Sequence, residues 1–199
     1  MPTSLELASR LRDHFREILG NPLEFRGEVT LSLGDASRIA EILECARTSL
    51  GFDMLLDVSS VDHLGNEPRF EVIYHLYSFA SGQYLRIKTS VGEEKPELPT
   101  ISHLWKAADW HEREVFDMMG IRFTGHPDLR RILMWEGYPH HPLRKEFPLA
   151  GIATDDGQAR PAPMAGGPFV TSPGLKTTVE REPRAKGETD SEVITAARH

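Results

Sequence analysis

The stretch Arg69-Phe-Glu-Val-Ile-Tyr-His-Leu-Tyr-Ser78, followed by Gln83-Tyr-Leu-Arg-Ile-Lys-Thr-Ser-Val91, decides the fold. Apolar and polar residues alternate along both segments, and this alternation is typical of strands with one buried face. The linker Ala80-Ser81-Gly82 predicts a tight connection between them. We therefore expect two neighbouring antiparallel strands.

The segments before this pair extend the same sheet. Residues Phe52–Val61 form a nearly continuous apolar run, which predicts a central strand. With the two strands above it completes an antiparallel meander of three strands. Glu28–Leu33 is predicted to be a further short strand.

A first helix is predicted from apolar residues that recur at helical spacing from Leu7 to Ile18. Ser4 is suited to be its N-cap, and Gly20 followed by Pro22 should end it.

Two more helices are expected. Asp35 can cap the second helix, which carries its apolar stripe up to Gly51. The third covers roughly Ala107–Met119 and ends at Gly120. The order of elements predicts an α+β fold, with helices packed on one face of a mostly antiparallel sheet and an irregular C-terminal extension.

The chain is expected to have three parts. Residues 1–119 form the α+β domain, and residues 120–149 form an irregular docking extension, because that segment is rich in Pro, Gly, His and Arg and has no sustained period. Residues 150–199 form a Gly- and Pro-rich tail with few large apolar groups. Such a tail is expected to be disordered or to wrap a partner.

Composition excludes several functional classes. The net charge of −7 lacks the basic footprint of a nucleic-acid-binding protein. We expect no membrane-spanning segment, since no run of 18 apolar residues occurs, and the N-terminal segment favours a cytosolic chain. Cys45 is the only cysteine, so the chain cannot supply the four thiolates that an iron–sulfur cluster usually needs.

The segment Trp110–Leu133 has a dense set of charges on a helix and the loop after it. Arg113 and Asp117 are four residues apart, so we expect them to form an ion pair on one helix face. A run of charges is usually a solvated surface. Here Trp110 and Phe116 lie among the charges, which favours a fixed polar interface with another protein.

A metal site is the strongest catalytic alternative. His111-Glu112 begins like the His-Glu-x-x-His zinc motif, but Val115 occupies the position of the second histidine. His103, His111 and His126 could converge in space. We expect hydrogen-bonded structural histidines and no metal site. Neither a nucleophile elbow nor a dinucleotide-binding glycine motif occurs.

Two stretches resemble the complex I 30 kDa subunit family, which is the C subunit of NADH–quinone oxidoreductase. The first is Glu-Arg-Glu-x-x-Asp at positions 112–117, followed by two apolar residues, a spacer, a histidine and Arg-Arg-Ile-Leu at positions 130–133. The second is His141-Pro-Leu-Arg-Lys-Glu-Phe-Pro-Leu149. One departure from the family pattern is Tyr138-Pro139-His140, an apparent insertion of three residues.

The resemblance implies a non-redox structural subunit in the peripheral arm of a proton-translocating NADH–quinone oxidoreductase. Such a subunit would lie on the cytoplasmic side of the inner membrane, docked chiefly against the large D subunit, which is of the forty-nine-kilodalton type. It would support electron transfer to quinone through FMN and iron–sulfur clusters held by partner subunits, with no cofactor, metal or catalytic residue of its own. The positions that the resemblance marks as signature or interface residues are Glu112, Arg113, Glu114, Asp117, His126, Arg130, Arg131, Arg144 and Lys145.

Two other functions stay open at this point. The chain could be the equivalent subunit of a membrane-bound hydrogenase or of a ferredoxin- or F420-linked oxidoreductase, because the electron donor binds elsewhere in such complexes. It could also be a free-standing protein-binding module without a respiratory role.

Overall fold

The chain folds into a layer of strands covered by helices. The computed structural model describes residues 2–148. In chain order, the elements are α1 (Ser4–His14), β1 (Leu23–Phe25), β2 (Glu28–Leu33), α2 (Ile39–Leu50), β3 (Met54–Asp62), β4 (Phe70–Ser78), β5 (Gln83–Val91), β6 (Glu97–Pro99), α3 (Ala108–Met119) and β7 (Arg122–Thr124). All of them lie in the compact unit Met1–Arg144.

The main sheet has five strands in the order β1-β2-β5-β4-β3. β3, β4 and β5 form the antiparallel meander that the alternation predicts, and β1 is antiparallel to β2. β2 pairs with β5 in parallel. The predicted α+β class with a mostly antiparallel sheet is therefore confirmed.

The prediction that the run Phe52–Val61 is a central strand is wrong. β3 lies at the edge of the sheet, because the chain leaves β2, passes through α2 and enters the sheet beyond β5 and β4. Leu55 and Val58 are buried, whereas Met54 and Leu56 are partly exposed. The apolar run thus belongs to an edge strand that has apolar residues on both faces. The sequence pattern alone does not distinguish such a strand from a central one.

The core lies between the sheet and the helices. Phe70, Val72, Tyr74 and Leu76 of β4 point to the same face and are fully buried there. α1 packs against β2 and α2, and α3 packs against β3.

The first helix is shorter than predicted. It begins after Thr3, whose side chain forms a reciprocal capping box with Glu6, so Ser4 is not the N-cap. It ends at His14, well before Gly20. Phe15 remains buried after the helix has ended, which explains why the apolar spacing continues.

Glycine ends the other two helices, as predicted. Gly51 and Gly120 are the C-caps of α2 and α3, with φ of 76° and 77°. Asp35 does not cap α2 itself. It caps a short 3₁₀ turn, Ala36–Arg38, that leads into α2.

A small parallel pair positions the candidate site. β6 pairs with β7, with Leu98 opposite Phe123. The prediction of an irregular extension is therefore wrong at β7, although residues 125–148 contain no further strand or helix. The division of the chain at residue 119 stays a prediction, and the tail 150–199 lies outside the described residues. Within residues 2–148, no helix has the length and hydropathy to cross a membrane.

Candidate functional site

Asp117, near the end of α3, is the anchor for the segment that follows β7. Its carboxylate is fully buried and forms an ion pair with Arg131, with Oδ1 2.6 Å from Nη1. Its Oδ2 atom accepts hydrogen bonds from the backbone N–H groups of Ile132, Leu133 and Met134 at 3.0, 2.7 and 2.9 Å. One side chain therefore fixes a whole turn of irregular chain against the helix.

These contacts determine the ionisation of Asp117. Burial acts to raise the pKa of the carboxyl, but the hydrogen bonds from Met134 and Leu133, the Arg131 guanidinium and the Ile132 N–H together outweigh it, so the pKa lies below its ordinary value. Asp117 is ionised at neutral pH.

The predicted ion pair between Arg113 and Asp117 is wrong. Arg131, 14 residues along the chain, takes the Asp117 carboxylate instead. Arg113 points toward the start of α3, where its Nη1 atom lies 3.9 Å from Asp109 Oδ1. Its Nε donates to the backbone carbonyl of Arg130 at 3.2 Å. An i,i+4 spacing permits a pair, but long-range packing decides which partner is used.

Glu112 lies on the buried side of α3, and it anchors the chain between β6 and α3. Its Oε1 accepts from the Ile101 N–H at 2.7 Å, and its Oε2 is hydrogen-bonded to the Thr100 hydroxyl. Burial raises the pKa of Glu112 to about 7, although the two hydrogen bonds oppose the shift. Thr100 Oγ1 is also hydrogen-bonded to Ser102 Oγ at 2.9 Å. Because a hydroxyl has one hydrogen, a Thr100 that donates to Glu112 accepts from the Ser102 hydroxyl.

His126 completes this cluster. Its Nδ1 accepts from the Asp128 backbone N–H at 3.0 Å, so the ring proton is on Nε2. Nε2 lies 3.3 Å from the Asp109 carbonyl and 3.7 Å from Glu112 Oε2, and the His126 side chain is fully buried. The cluster links α3 to the loop after β7.

The apparent insertion Tyr138-Pro139-His140 adds a buried aromatic ring to the extension. The Tyr138 ring packs against Trp135, with centroids 4.4 Å apart, and the Arg131 guanidinium lies 5.7 Å from its centroid. Tyr138 therefore covers the ion pair that Arg131 makes.

The family-like stretch from His141 lies against the end of α3. His141 Nδ1 donates to the Asp117 carbonyl at 2.9 Å, and Arg144 Nε donates to the Met119 carbonyl at 2.8 Å. Burial lowers the pKa of His141. Gly120 makes this close approach possible, because a Cβ there would lie 2.6 Å from both His141 Nε2 and Arg144 Nη2.

The predicted site residues therefore divide into two groups. Glu112, Arg113, Asp117, His126 and Arg131 make contacts inside the chain, and Arg144 joins them at the end of α3. Glu114, Arg130 and Lys145 are exposed. Sequence reasoning missed the acceptor and donor partners in the chain, which are Thr100, Ile101, Ser102 and Tyr138. No pattern in the sequence marks the first three, and Tyr138 is marked only as part of the apparent insertion.

Large apolar side chains are exposed around this network. Trp110 is 62% exposed, and Leu133, Trp135 and Leu143 are between 54% and 57% exposed. Exposed aromatic and aliphatic side chains beside fixed charges are typical of a protein–protein interface. The internal contacts hold the extension against α3, and Leu133, Trp135 and Leu143 are exposed on it.

The sequence of this chain is similar to those of respiratory-chain subunits. The pattern of the family described as respiratory-chain NADH dehydrogenase, 30 Kd subunit, matches residues 34–153. The C subunit of NADH-quinone oxidoreductase from Geobacter metallireducens is 46% identical over 143 residues, which are 71% of this chain and 88% of that protein. The C 2 subunit of NADH-quinone oxidoreductase from Rhizobium meliloti is 50% identical over 130 residues, 65% of this chain and 68% of that protein.

Two solved structures share the fold. The trypsin-resistant fragment (1-134) of Nqo5 is 31% identical, with a TM-score of 0.54, and the match covers 61% of this chain and 95% of the fragment. A chain of the membrane-bound sulfane sulfur reductase, an archaeal respiratory membrane complex, is 23% identical with a TM-score of 0.63, over 72% of this chain and 85% of that chain. Together with the matched family pattern, these similarities establish that the chain belongs to the respiratory-chain NADH dehydrogenase 30 kDa subunit family.

Proposed function

We propose that this chain is a non-redox structural subunit in the peripheral arm of a proton-translocating NADH–quinone oxidoreductase. It docks chiefly against the large D subunit on the cytoplasmic side of the membrane. FMN and iron–sulfur clusters in partner subunits carry the electrons from NADH to quinone.

The main support for the proposal is that two acidic signature residues make their contacts within the chain. Asp117 and Glu112 bind the chain's own backbone and so hold residues 126–144 against α3. Leu133, Trp135 and Leu143 are left exposed on that extension. An extension that is fixed by internal contacts and has exposed apolar side chains is suited to docking.

The sequence supports a non-redox role for the chain. Cys45 is the only cysteine among the 199 residues, so it could contribute at most one of the thiolates that a cluster requires. The electron donor is the part of the proposal that depends on partner subunits. A donor other than NADH would make the chain the equivalent subunit of a hydrogenase or of a ferredoxin- or F420-linked complex.

Deletion and complementation of the gene test this function. Membranes of the deletion strain should lose NADH-dependent quinone reduction, and the full-length chain supplied from a plasmid should restore it. Normal NADH–quinone activity in the deletion strain would contradict the proposal. If the strain instead loses hydrogen- or ferredoxin-dependent reduction, the alternative donor is correct.

A further inference from the structure

A groove lies between α3 and the segment of residues 129–137. It has a volume of about 650 Å³, and its walls include Trp110, Arg113, Phe116, Arg130 and Ile132. Arg131 and Glu136 also line it, so the groove brings three guanidinium groups and one carboxylate together with apolar side chains.

Arg113 is the unusual member of the groove. Its side chain is only 9% exposed, yet the nearest carboxylate oxygen, Asp109 Oδ1, is 3.9 Å away. Its one hydrogen bond within residues 2–148 runs from Nε to the Arg130 carbonyl. A guanidinium has five N–H donors, and buried charged groups normally have their donors satisfied. The Nη atoms of Arg113 have no acceptor at hydrogen-bonding distance within residues 2–148, and Asp109 Oδ1, which faces Nη1, is likewise buried without a hydrogen-bond partner there.

Other well-buried arginines of the chain show the contrast. Arg69, with a side chain 3% exposed, has the Asp62 carboxylate at 2.8 Å. Arg131, 14% exposed, has Asp117 at 2.6 Å. Arg113 is as buried as these two side chains but lacks a close carboxylate, so an external one would complete its environment.

The surroundings of Arg113 favour a carboxylate that belongs to a protein. Arg130 contributes a second cation whose Asp128 partner, at 2.9 Å, is itself exposed and therefore contributes little stability. The Trp110 ring lies 4.9 Å from the Arg113 guanidinium and is largely exposed, so it supplies an apolar wall beside the charge. Phe116, Leu129 and Ile132 add further apolar side chains to the lining, which suits an acidic side chain with an apolar neighbour better than a small anion.

We propose that this groove binds an aspartate or glutamate side chain of a partner protein chain, with Arg113 as its principal ligand and Arg130 as the second. An apolar residue next to that acid packs on Trp110. The proposal rests on the proposed function only in taking the partner to be another subunit of the same complex.

Photo-crosslinking identifies the occupant. A tagged full-length chain with p-benzoylphenylalanine in place of Trp110 is irradiated in the assembled complex, and the crosslinked peptide is sequenced by mass spectrometry. We expect a peptide of another subunit with an acidic residue beside the crosslinked position. A peptide from residues 149–199 of this chain, a lipid, or a partner peptide without Asp or Glu would overturn the proposal.

A charge series tests the contact itself. Arg113→Gln should lower the fraction of chain retained in the complex at raised salt by about tenfold, and Arg113→Lys by less, because lysine keeps the charge but loses the planar fork. Arg10→Gln is the matched control, since Arg10 is exposed on α1 and forms no ion pair within the described part of the chain. Trp110→Ala, a change at an exposed residue, should also reduce retention without removing a buried group.

A double-mutant cycle separates this contact from general destabilisation. Neutralising the crosslinked partner acid should add no further loss to Arg113→Gln. If Arg113→Gln and Arg10→Gln are retained equally in a complex that oxidises NADH, the groove proposal is wrong and the proposed function stands. If the unmodified chain enters no NADH-oxidising complex, the proposed function itself fails.

Discussion

Replacing Asp117 by Asn tests the anchor of the extension with a change of almost no volume. The amide keeps one oxygen for the N–H groups of residues 132–134. It places an NH₂ group or a neutral oxygen against Arg131, where the carboxylate oxygen now lies at 2.6 Å. The buried guanidinium then loses its counter-ion, and the three backbone hydrogen bonds change from a charged to a neutral acceptor.

The structure allows the magnitude to be worked out. Hydrogen bonds to a charged group contribute about 1.5–3 kcal/mol each, and leaving one partner of a buried pair alone costs about 3–5 kcal/mol. Because Asn retains part of the hydrogen bonding, we expect a loss of about 3 kcal/mol. This loss falls on the local opening of the extension, since the sheet of β1–β5 has its own core.

Hydrogen–deuterium exchange of the full-length chain measures this local stability. A loss of about 3 kcal/mol predicts that the amides of residues 132–134 exchange about a hundredfold faster in the Asp117→Asn variant at pH 7. The amides of Phe70–Ser78 in β4 should change little. Glu114→Gln is the matched control, since Glu114 lies on the same helix and is exposed.

Acid should reproduce the effect in the wild-type chain. The folded pKa of Asp117 is lower than the ordinary value of 3.8, so its stabilisation is complete above that value and is lost as the pH falls through the folded pKa. Unchanged exchange of residues 132–134 in Asp117→Asn, or an equal change in Glu114→Gln, would refute the view that the Asp117 carboxylate holds the extension.

The same network supports two further predictions. Glu112 has a pKa of about 7 in the folded chain, against an ordinary value of 4.5. The wild type should therefore lose up to about 3 kcal/mol of unfolding free energy relative to Glu112→Gln as the pH rises from 4.5 to 7. Urea titration at each pH measures this difference, and parallel pH profiles of the two proteins would contradict the prediction. Gly120→Ala should lower the unfolding free energy more than Gly51→Ala in the same assay. Both glycines are left-handed helix caps, but only Gly120 lies under His141 and Arg144. Left-handed strain alone costs about 1–2 kcal/mol, and equal losses in the two variants would show that His141 and Arg144 move aside without cost.

Local chemistry explains which parts of the fold were predictable. The strands Phe70–Ser78 and Gln83–Val91 alternate cleanly, and Gly51 and Gly120 end their helices because a left-handed cap favours glycine. The parallel pairing of β2 with β5 joins segments that are distant along the chain, such as Thr30 with Arg86, and local pattern carries no information about it. β6 and β7 are three residues long, too short to carry a period.

The sequence marks the signature residues by resemblance but does not indicate the contacts that they make within the chain. The signature residues were found by resemblance, yet a charged run was expected to face a partner. Glu112 and Asp117 are fully buried and bind their own backbone instead. The partner of Asp117 was missed because helix spacing suggests Arg113, whereas Arg131 approaches only after the chain has turned back through β7. The spacing of residues along one helix does not indicate which distant segment of the chain will pack against it.

The most direct test of the central claim is the subunit composition of the native assembly that contains this chain. The complex is isolated from membranes through a tag on the full-length chain, and its subunits are identified by native mass spectrometry. We expect one copy of the chain together with the large D subunit and a flavin-carrying subunit, in a complex that reduces quinone with NADH. Recovery of the chain as an isolated monomer, or in a complex without a flavin-carrying subunit, would contradict the account.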